Sequence, residues 1–223
     1  MTTSVRHILI INPNRTASMT AKIGDAAKAA AGPGINITAV NPQTGPASIQ
    51  GPEDGMAALP GLFALVDEWL AGSKPVDAII IACFDDTGLW DLKQRCKIPV
   101  LGIGEAAYHM AALAAVHFSV VTTLSVSVPV LEENLRQTGF DRRCAKVRAS
   151  EVPVLALEEE GGEARGKIEA EIALALKEDD IGAIALGCAG MADLAEVLTT
   201  QFGVPVIDGV AAAVKLVRLL VGR

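Results

Sequence analysis

The sequence predicts an α/β protein of two similar lobes, each a parallel four-stranded sheet, related by pseudo-twofold symmetry around a cleft that holds the site. Three observations carry this reading. Strand-like and helical segments alternate along the chain, as in βαβ units with right-handed crossovers. The strand-like runs are continuously apolar, which suits parallel strands buried on both faces. Finally, residues 77–86, DAIIIACFDD, return 105 residues later as 181–190, IGAIALGCAG, with Cys83 and Cys188 in matching places.

Taken in order, residues 7–12 (HILIIN) are a first strand that breaks at Pro13-Asn14. The helix that follows has an Asn, Thr and Ser-rich start and ends at Gly32-Pro33-Gly34, the usual punctuation of a helix. Residues 35–40 form a second strand. Residues 43–56, rich in Gly and Pro, read as a loop or flap. Helical spacing over 59–72 places Leu62, Leu65, Val66 and Trp69 on one face, and the Cys83 strand follows. A short helix over 89–96, a strand over 98–104 and a helix over 105–116 come next.

The second half reads the same way. It gives strand 118–123, helix 129–139, strand 145–151, helix 166–177, the Cys188 strand, helix 192–202, strand 205–208 and a terminal helix over 210–221. The acidic turn Glu158-Glu159-Glu160 reads as a solvated loop. The echo extends to four strands in the same order, for IPVLGIGEAA at 98–107 answers VPVIDGVAAA at 204–213, and all offsets lie between 105 and 110. The expected division is 1–98 plus 208–223 for one lobe and 99–207 for the other, with the terminal helix returning to the first.

Composition limits the function classes. Hydrophobic residues make up 51% and charged residues 20%, enough for a large core. A net charge of −7 with no basic block argues against a nucleic-acid partner. No apolar run approaches the ~18 residues of a membrane span, and the first residues are too soon polar for a secretory signal. The four cysteines form no CxxC pair, so free thiols in a reducing, cytoplasmic compartment are expected. The high apolar content would permit the subunit contacts of a homo-oligomer, which is the expected assembly.

Two equivalent thiols at strand ends, on opposite walls of a cleft, suit stereochemical inversion at carbon. One thiolate removes a proton from one face while the other thiol delivers a proton to the opposite face. Backbone N–H groups after each cysteine, those of Phe84 and Asp85 and of Ala189 and Gly190, are candidates to stabilise the enolate between the two transfers. The start of a following helix is expected to lower each thiol below its free value of ~8.5. A single cysteine in an apolar strand is ordinarily a small core residue; the repeat is what points to chemistry.

Here the chain resembles the hydantoin racemase and allantoin racemase branch of the aspartate/glutamate racemase superfamily. The matching residues are INPN at 11–14, SMT at 18–20, GPASIQGPEDG at 45–55, ACFDDTGL at 82–89, GIGEAA at 102–107, VVTT at 120–123, LGCAGM at 186–191 and GVPVIDGV at 203–210. They span nearly the whole chain. The resemblance implies two Rossmann-like lobes, cofactor-independent two-base racemisation with Cys83 and Cys188 as the acid–base pair, and a small cyclic diamide, a 5-substituted hydantoin or allantoin, as substrate. Glutamate racemases of the superfamily carry Cys-Asn-Thr and Cys-Thr-His, whereas this chain has Cys-Phe-Asp and Cys-Ala-Gly, which disfavours a free amino acid. Arg15 stands where the family often has a small hydroxyl residue.

The substrate-binding candidates sit at strand ends: Pro13 and Asn14, Val40, Phe84 and Asp85, Thr122 and Thr123, and Gly187, Ala189 and Gly190 around the second cysteine. For Asn14 and the threonines, capping of the next helix is the competing role, as it is for Asp85 and Asp86. The Gly102-Ile103-Gly104 turn mimics a dinucleotide motif but lacks the acid at the end of the next strand. His109 as a partner of Cys83 would instead suggest a cysteine hydrolase. Other readings are an amino-acid racemase or decarboxylase of the same superfamily, or a small-molecule binding module on this fold.

Overall fold

The computed structural model describes residues 5–159 and 163–222. The first half runs β1 (Arg6–Ile11), α1 (Ala17–Ala31), β2 (Ile35–Val40), α2 (Pro52–Ala71), β3 (Ala78–Ile81), α3 (Leu89–Arg95), β4 (Val100–Gly102) and α4 (Ile103–Ala114). The second runs β5 (Phe118–Thr122), α5 (Val128–Thr138), β6 (Cys144–Ala149), α6 (Ala164–Glu178), β7 (Ala183–Gly187), α7 (Ala195–Phe202), β8 (Val206–Asp208) and α8 (Gly209–Val221). The sheets are β2-β1-β3-β4 and β6-β5-β7-β8, parallel throughout. The order is the same in both, so the internal repeat is structural.

Every strand residue from Ala78 to Ile81 and from Ala183 to Gly187 is buried, and the side chains divide between two faces with period two. Ile8, Ile10 and Ile80 join α4, α8 and the second lobe's Phe118, Val120 and Ala185 in one central core. Leu9, Ile11, Ile79 and Ile81 point the other way, onto Leu62 and Val66 of α2 and Leu89 and Leu92 of α3. In the second lobe Ile184 and Leu186 cover Ile168 and Ile172 of α6. Because the central core belongs to both lobes, burial ties the halves into one body. At its heart Tyr108 contacts Phe84 edge-on, with ring centroids 5.6 Å apart, and stacks on Phe118 at 6.3 Å.

The two crossing helices start directly off their strands. Asp208 caps α8 by accepting from the Val210 and Ala211 N–H groups, an ordinary N-cap. The start of α4 is capped from a distance instead, by Asp86, which accepts from Gly104 N–H at 3.0 Å and Glu105 N–H at 2.7 Å. A Cβ at Gly209 would stand 2.6 Å from the Ile103 carbonyl oxygen, so glycine is what lets the two helix starts meet.

Several sequence expectations shift. The chain leaves the first sheet at Gly102, since β4 pairs with β3; a division at residue 98 would cut β4 from its own sheet. Residues 103 and 104 are helical rather than strand, because Asp86 satisfies the first N–H groups of α4. Residues 52–56, read as loop, are the first turn of α2, with Pro52 at the first helical position and Glu53 and Asp54 in the first turn, all of which favour helix initiation. The acidic turn is only partly a solvated loop: Glu158 closes a short 3₁₀ turn over Val154–Glu158 and is half-buried, while Glu160 lies outside the described residues. Among the described residues no helix is long and apolar enough to cross a membrane.

Candidate active site

Parallel sheets open their ligand sites at the carboxyl ends of the strands. Here the ends of β1, β3, β5 and β7 converge on one small cavity of ≈ 30 Å³. Cys83 follows β3 by two residues, Cys188 follows β7 by one, and both thiols line this cavity. They share it with Asn14, Ala82, Phe84, Asp85, Thr123, Gly187 and Ala189, and with Met19, Ile49, Ser127 and Val154.

The first seven sharers include the sequence-derived candidates Asn14, Phe84, Asp85, Thr123, Gly187 and Ala189. Four other candidates do not line the cavity. Pro13 is buried behind the turn. Val40 ends β2, the edge strand, and packs toward α2. Thr122 spends its hydroxyl on the Gly187 carbonyl at 3.0 Å, which holds β5 to β7. Gly190 lies just outside, where its carbonyl accepts from Lys22 Nζ at 3.3 Å. Asn14 has a structural task as well: its Oδ1 accepts from Asn12 Nδ2 and Thr16 N–H, both at 2.9 Å.

Each sulfur is faced by the backbone N–H two residues further on, that of Asp85 for Cys83 and that of Gly190 for Cys188. This symmetric donor favours a thiolate. Thr87 adds its hydroxyl, which donates to the Cys83 sulfur at 3.6 Å. The net balance nonetheless runs against the expected depression. Burial first and the Asp85 carboxylate second push the Cys83 thiol well above its ordinary value. Burial likewise pushes Cys188 up to about 11, with Asp85 adding to the rise and Lys22 opposing it. The helix dipole cannot rescue Cys83, because α3 begins only at Leu89 and its field fades within a turn. Both resting thiols are therefore neutral at pH 7.

Asp85 is the acidic wall of the cavity. Its Oδ2 accepts from Ser127 Oγ at 3.3 Å and its carbonyl from Asn134 Nδ2 at 2.8 Å, so groups of the second lobe clamp it. Burial pushes its carboxyl up to about 7, and Ser127 opposes the rise. Its neighbour Asp86 turns the other way, into the α4 cap, from a backbone φ of 51°. Gly102 and Gly104 make room for that carboxylate, and a Cβ at Gly104 would stand 2.8 Å from Asp86 Oδ2. The glycines that mimic a dinucleotide turn thus anchor the loop that carries Cys83.

The roof comes from segments that sequence reasoning did not assign to the site. Ile49 belongs to the 43–51 loop, which is tied down by Thr16 Oγ1 donating to the Ala47 carbonyl at 2.6 Å. Gln50 Oε1 accepts from Val154 N–H at 2.9 Å, closing the loop onto the opposite lobe. Arg15 is exposed, with its backbone N–H bonded to the Pro46 carbonyl. Cys96 and Cys144 lie elsewhere, as does His109, whose Nδ1 meets the Glu105 carbonyl on α4; no hydrolase-like Cys–His pair forms.

The doubled α/β fold brings one thiol from each half to a single small cavity between the lobes. The chain belongs to the Asp/Glu/hydantoin racemase family, whose profile matches residues 8–217, and it is a racemase. A hydantoin racemase of Rhizobium meliloti is 46% identical over 216 residues, covering 97% of this chain and 89% of its own. The allantoin racemase from Klebsiella pneumoniae matches with a TM-score of 0.93 at 45% identity, covering 97% of this chain and 87% of that one. A second allantoin racemase, from Pseudomonas fluorescens, gives 0.90 at 40% identity over 96% of this chain and 90% of that one.

Proposed function

We propose that this racemase inverts C5 of a 5-substituted hydantoin or of allantoin, with Cys83 and Cys188 as its two bases. The observation that supports the reading is that one thiol from each lobe lines the same cavity. A thiolate takes the C5 proton and the electron pair moves into the adjacent carbonyl, giving an enolate. The opposite thiol then protonates the other face as the carbonyl re-forms. One thiolate and one thiol begin and end each turnover with their roles exchanged. No electron is gained or lost overall, so the step needs no oxidant or reductant, and the two thiols balance the protons between them.

The neutral resting thiols set the cost. A thiolate must form against burial, and the Asp85 and Gly190 N–H groups stabilise it once formed. A high pKa also makes a stronger base, so what is lost in thiolate population is partly regained in driving force toward carbon. Phe84 and Ala189, each next to a cysteine and lining the cavity, offer N–H groups for the enolate oxygen.

An uncharged ring suits this wall better than a free amino acid. None of the lining residues is cationic, so a substrate carboxylate would be buried without a partner. The cavity itself has room for about two waters, so the ring must lift the roof at the Gln50–Val154 contact to enter. Optical rotation of each enantiomer of 5-benzylhydantoin and of allantoin, followed without added cofactor, tests the proposal. Loss of rotation from both enantiomers of one compound is expected, and constant rotation in all four overturns it. The relative rates assign the preferred ring.

A further inference from the structure

We propose that Asp85 is the specificity-determining residue that confines the site to uncharged rings, its carboxylate receiving a ring N–H and repelling any molecule that carries a carboxylate. The inference rests on the cavity being the racemase site. Among the described residues lining the cavity, Asp85 is the only titratable side chain apart from the two cysteines. Ser127 holds its Oδ2 at 3.3 Å, and Asn134 holds the backbone carbonyl of the same residue at 2.8 Å. Both holding residues belong to the second lobe, while Asp85 belongs to the first, so the carboxylate stands at the seam where a ring bridging the two thiols must lie. Its field raises both thiols, placing it within electrostatic reach of each reacting sulfur.

Carboxylate beside thiolate is a poor arrangement for making a base. It becomes a sensible one if the negative charge is met by a substrate donor. A hydantoin ring carries N–H groups on both sides of a carbonyl, and a carboxylate accepting one of them forms a strong, charge-assisted bond. The same wall rejects the acid produced when that ring is opened by water. That ureido acid retains the substituent, the urea and the stereocentre of the ring, and differs chiefly by its carboxylate. Against a like charge in that small cavity, the acid loses what the ring gains. Burial and the Ser127 hydroxyl are what act on Asp85, and its own charge in turn raises Cys83, Cys188, Asp86 and Tyr108. The nearby cation is Lys22, which lies outside the cavity on the Cys188 side, bonded to the Gly190 carbonyl, and lowers that thiol.

The experiment compares binding of 5-benzylhydantoin with binding of its ring-opened ureido acid, by calorimetry on the whole chain, in wild type, Asp85→Asn and Ser127→Ala. At pH 8 wild type should favour the ring, and Asp85→Asn should narrow the ratio by about 10-fold or more, since an amide keeps the acceptor and loses the charge. Between pH 8 and pH 6 the wild-type ratio should fall as Asp85 takes up a proton, while the Asp85→Asn ratio stays flat. Ser127→Ala, which removes a donor to the charged form, should move the wild-type transition to higher pH. An unchanged ratio in Asp85→Asn, or a transition that Ser127→Ala leaves in place, overturns the role of Asp85 while leaving racemisation intact. Failure of wild type to bind or racemise the ring overturns both proposals.

Discussion

Thr87 donates its hydroxyl to the Cys83 sulfur across 3.6 Å, and the second lobe has no counterpart, since the residue four places after Cys188 is Ala192. The pseudo-twofold is therefore broken at the thiols themselves. Cys83 has the hydroxyl and feels the Asp85 carboxylate as the second cause of its rise, whereas Cys188 has Lys22 lowering it from outside the cavity. Each lobe finds its own means of making a buried thiolate bearable.

Thr87→Val keeps the shape and removes that donor. A hydrogen bond to a charged group contributes about 1.5–3 kcal/mol, and a long bond to sulfur belongs at the low end. Racemisation should fall about 10-fold. Without the hydroxyl the Cys83 thiol moves further up, so the rising limb of the pH–rate profile should shift to higher pH. An unaltered profile would show that the hydroxyl does not act on the thiolate.

Cys83→Ser and Cys188→Ser should each lower racemisation by about 10³-fold or more, because an alcohol is a far weaker acid than a thiol. Each variant should still exchange the C5 proton in D2O from one enantiomer only, and the two variants should choose opposite enantiomers. Exchange of both enantiomers by a single variant would refute the two-base assignment. Cys96→Ser and Cys144→Ser should leave the rate unchanged, since neither thiol lines the cavity.

The central parts of this site were legible in the sequence because they follow from strand order. Four echoes in sequence place Cys83 and Cys188 at equivalent ends of β3 and β7, and parallel sheets leave only one edge for a ligand. Val40 was misplaced because an edge strand cannot be told from a central one by its own residues. Thr122 was misplaced because its hydroxyl is claimed by Gly187, 65 residues away. Ile49, Ser127 and Val154 carry no periodic signal, and the Gln50–Val154 contact joins residues 104 apart. The thiol protonation was the deepest error: local sequence shows a strand end and a turn, but burial is decided by the whole fold. The helix start at Gly51-Pro52-Glu53-Asp54 was also read as loop, although Pro at the first helical position and two acids in the first turn signal it.

Asp85 should also make itself felt as a stability cost. Its carboxyl is raised from 3.8 to about 7, chiefly by burial. Well below 3.8, at about pH 2–3, it is protonated in both folded and unfolded chains and costs nothing. As pH rises toward 7 the unfolded chain ionises first, so folding stability is lost across that window and stays lost above it. Asp85→Asn should therefore have a higher Tm than wild type at pH 8, by about 3 °C or more, and the gap should shrink as pH falls through about 7 and close below 3.8. A thermal-melt series over that range checks the sign; a variant less stable than wild type at pH 8 would contradict it.

Gly104 offers the sharpest test of how the cysteine loop is held. A Cβ there would run into the Phe84 carbonyl and stand 2.8 Å from Asp86 Oδ2. Phe84 lines the cavity beside Cys83, and Asp86 joins the same loop to the start of α4. Neither can give way alone, since the Asp86 carboxylate is fixed by two N–H donors and Phe84 packs against Tyr108. Gly104→Ala should cost about 1–3 kcal/mol, as overpacking does, and should lower racemisation by more than the lost stability accounts for, because the displaced loop carries Cys83, the proposed base. Gly166→Ala is the matched control. It lies on the exposed face of α6 with nothing near its missing Cβ, so alanine should stabilise the helix by about 0.5–1 kcal/mol and leave activity unchanged. If both variants melt and turn over alike, the Asp86 anchor does not govern Cys83, and its capping of α4 matters only to that helix.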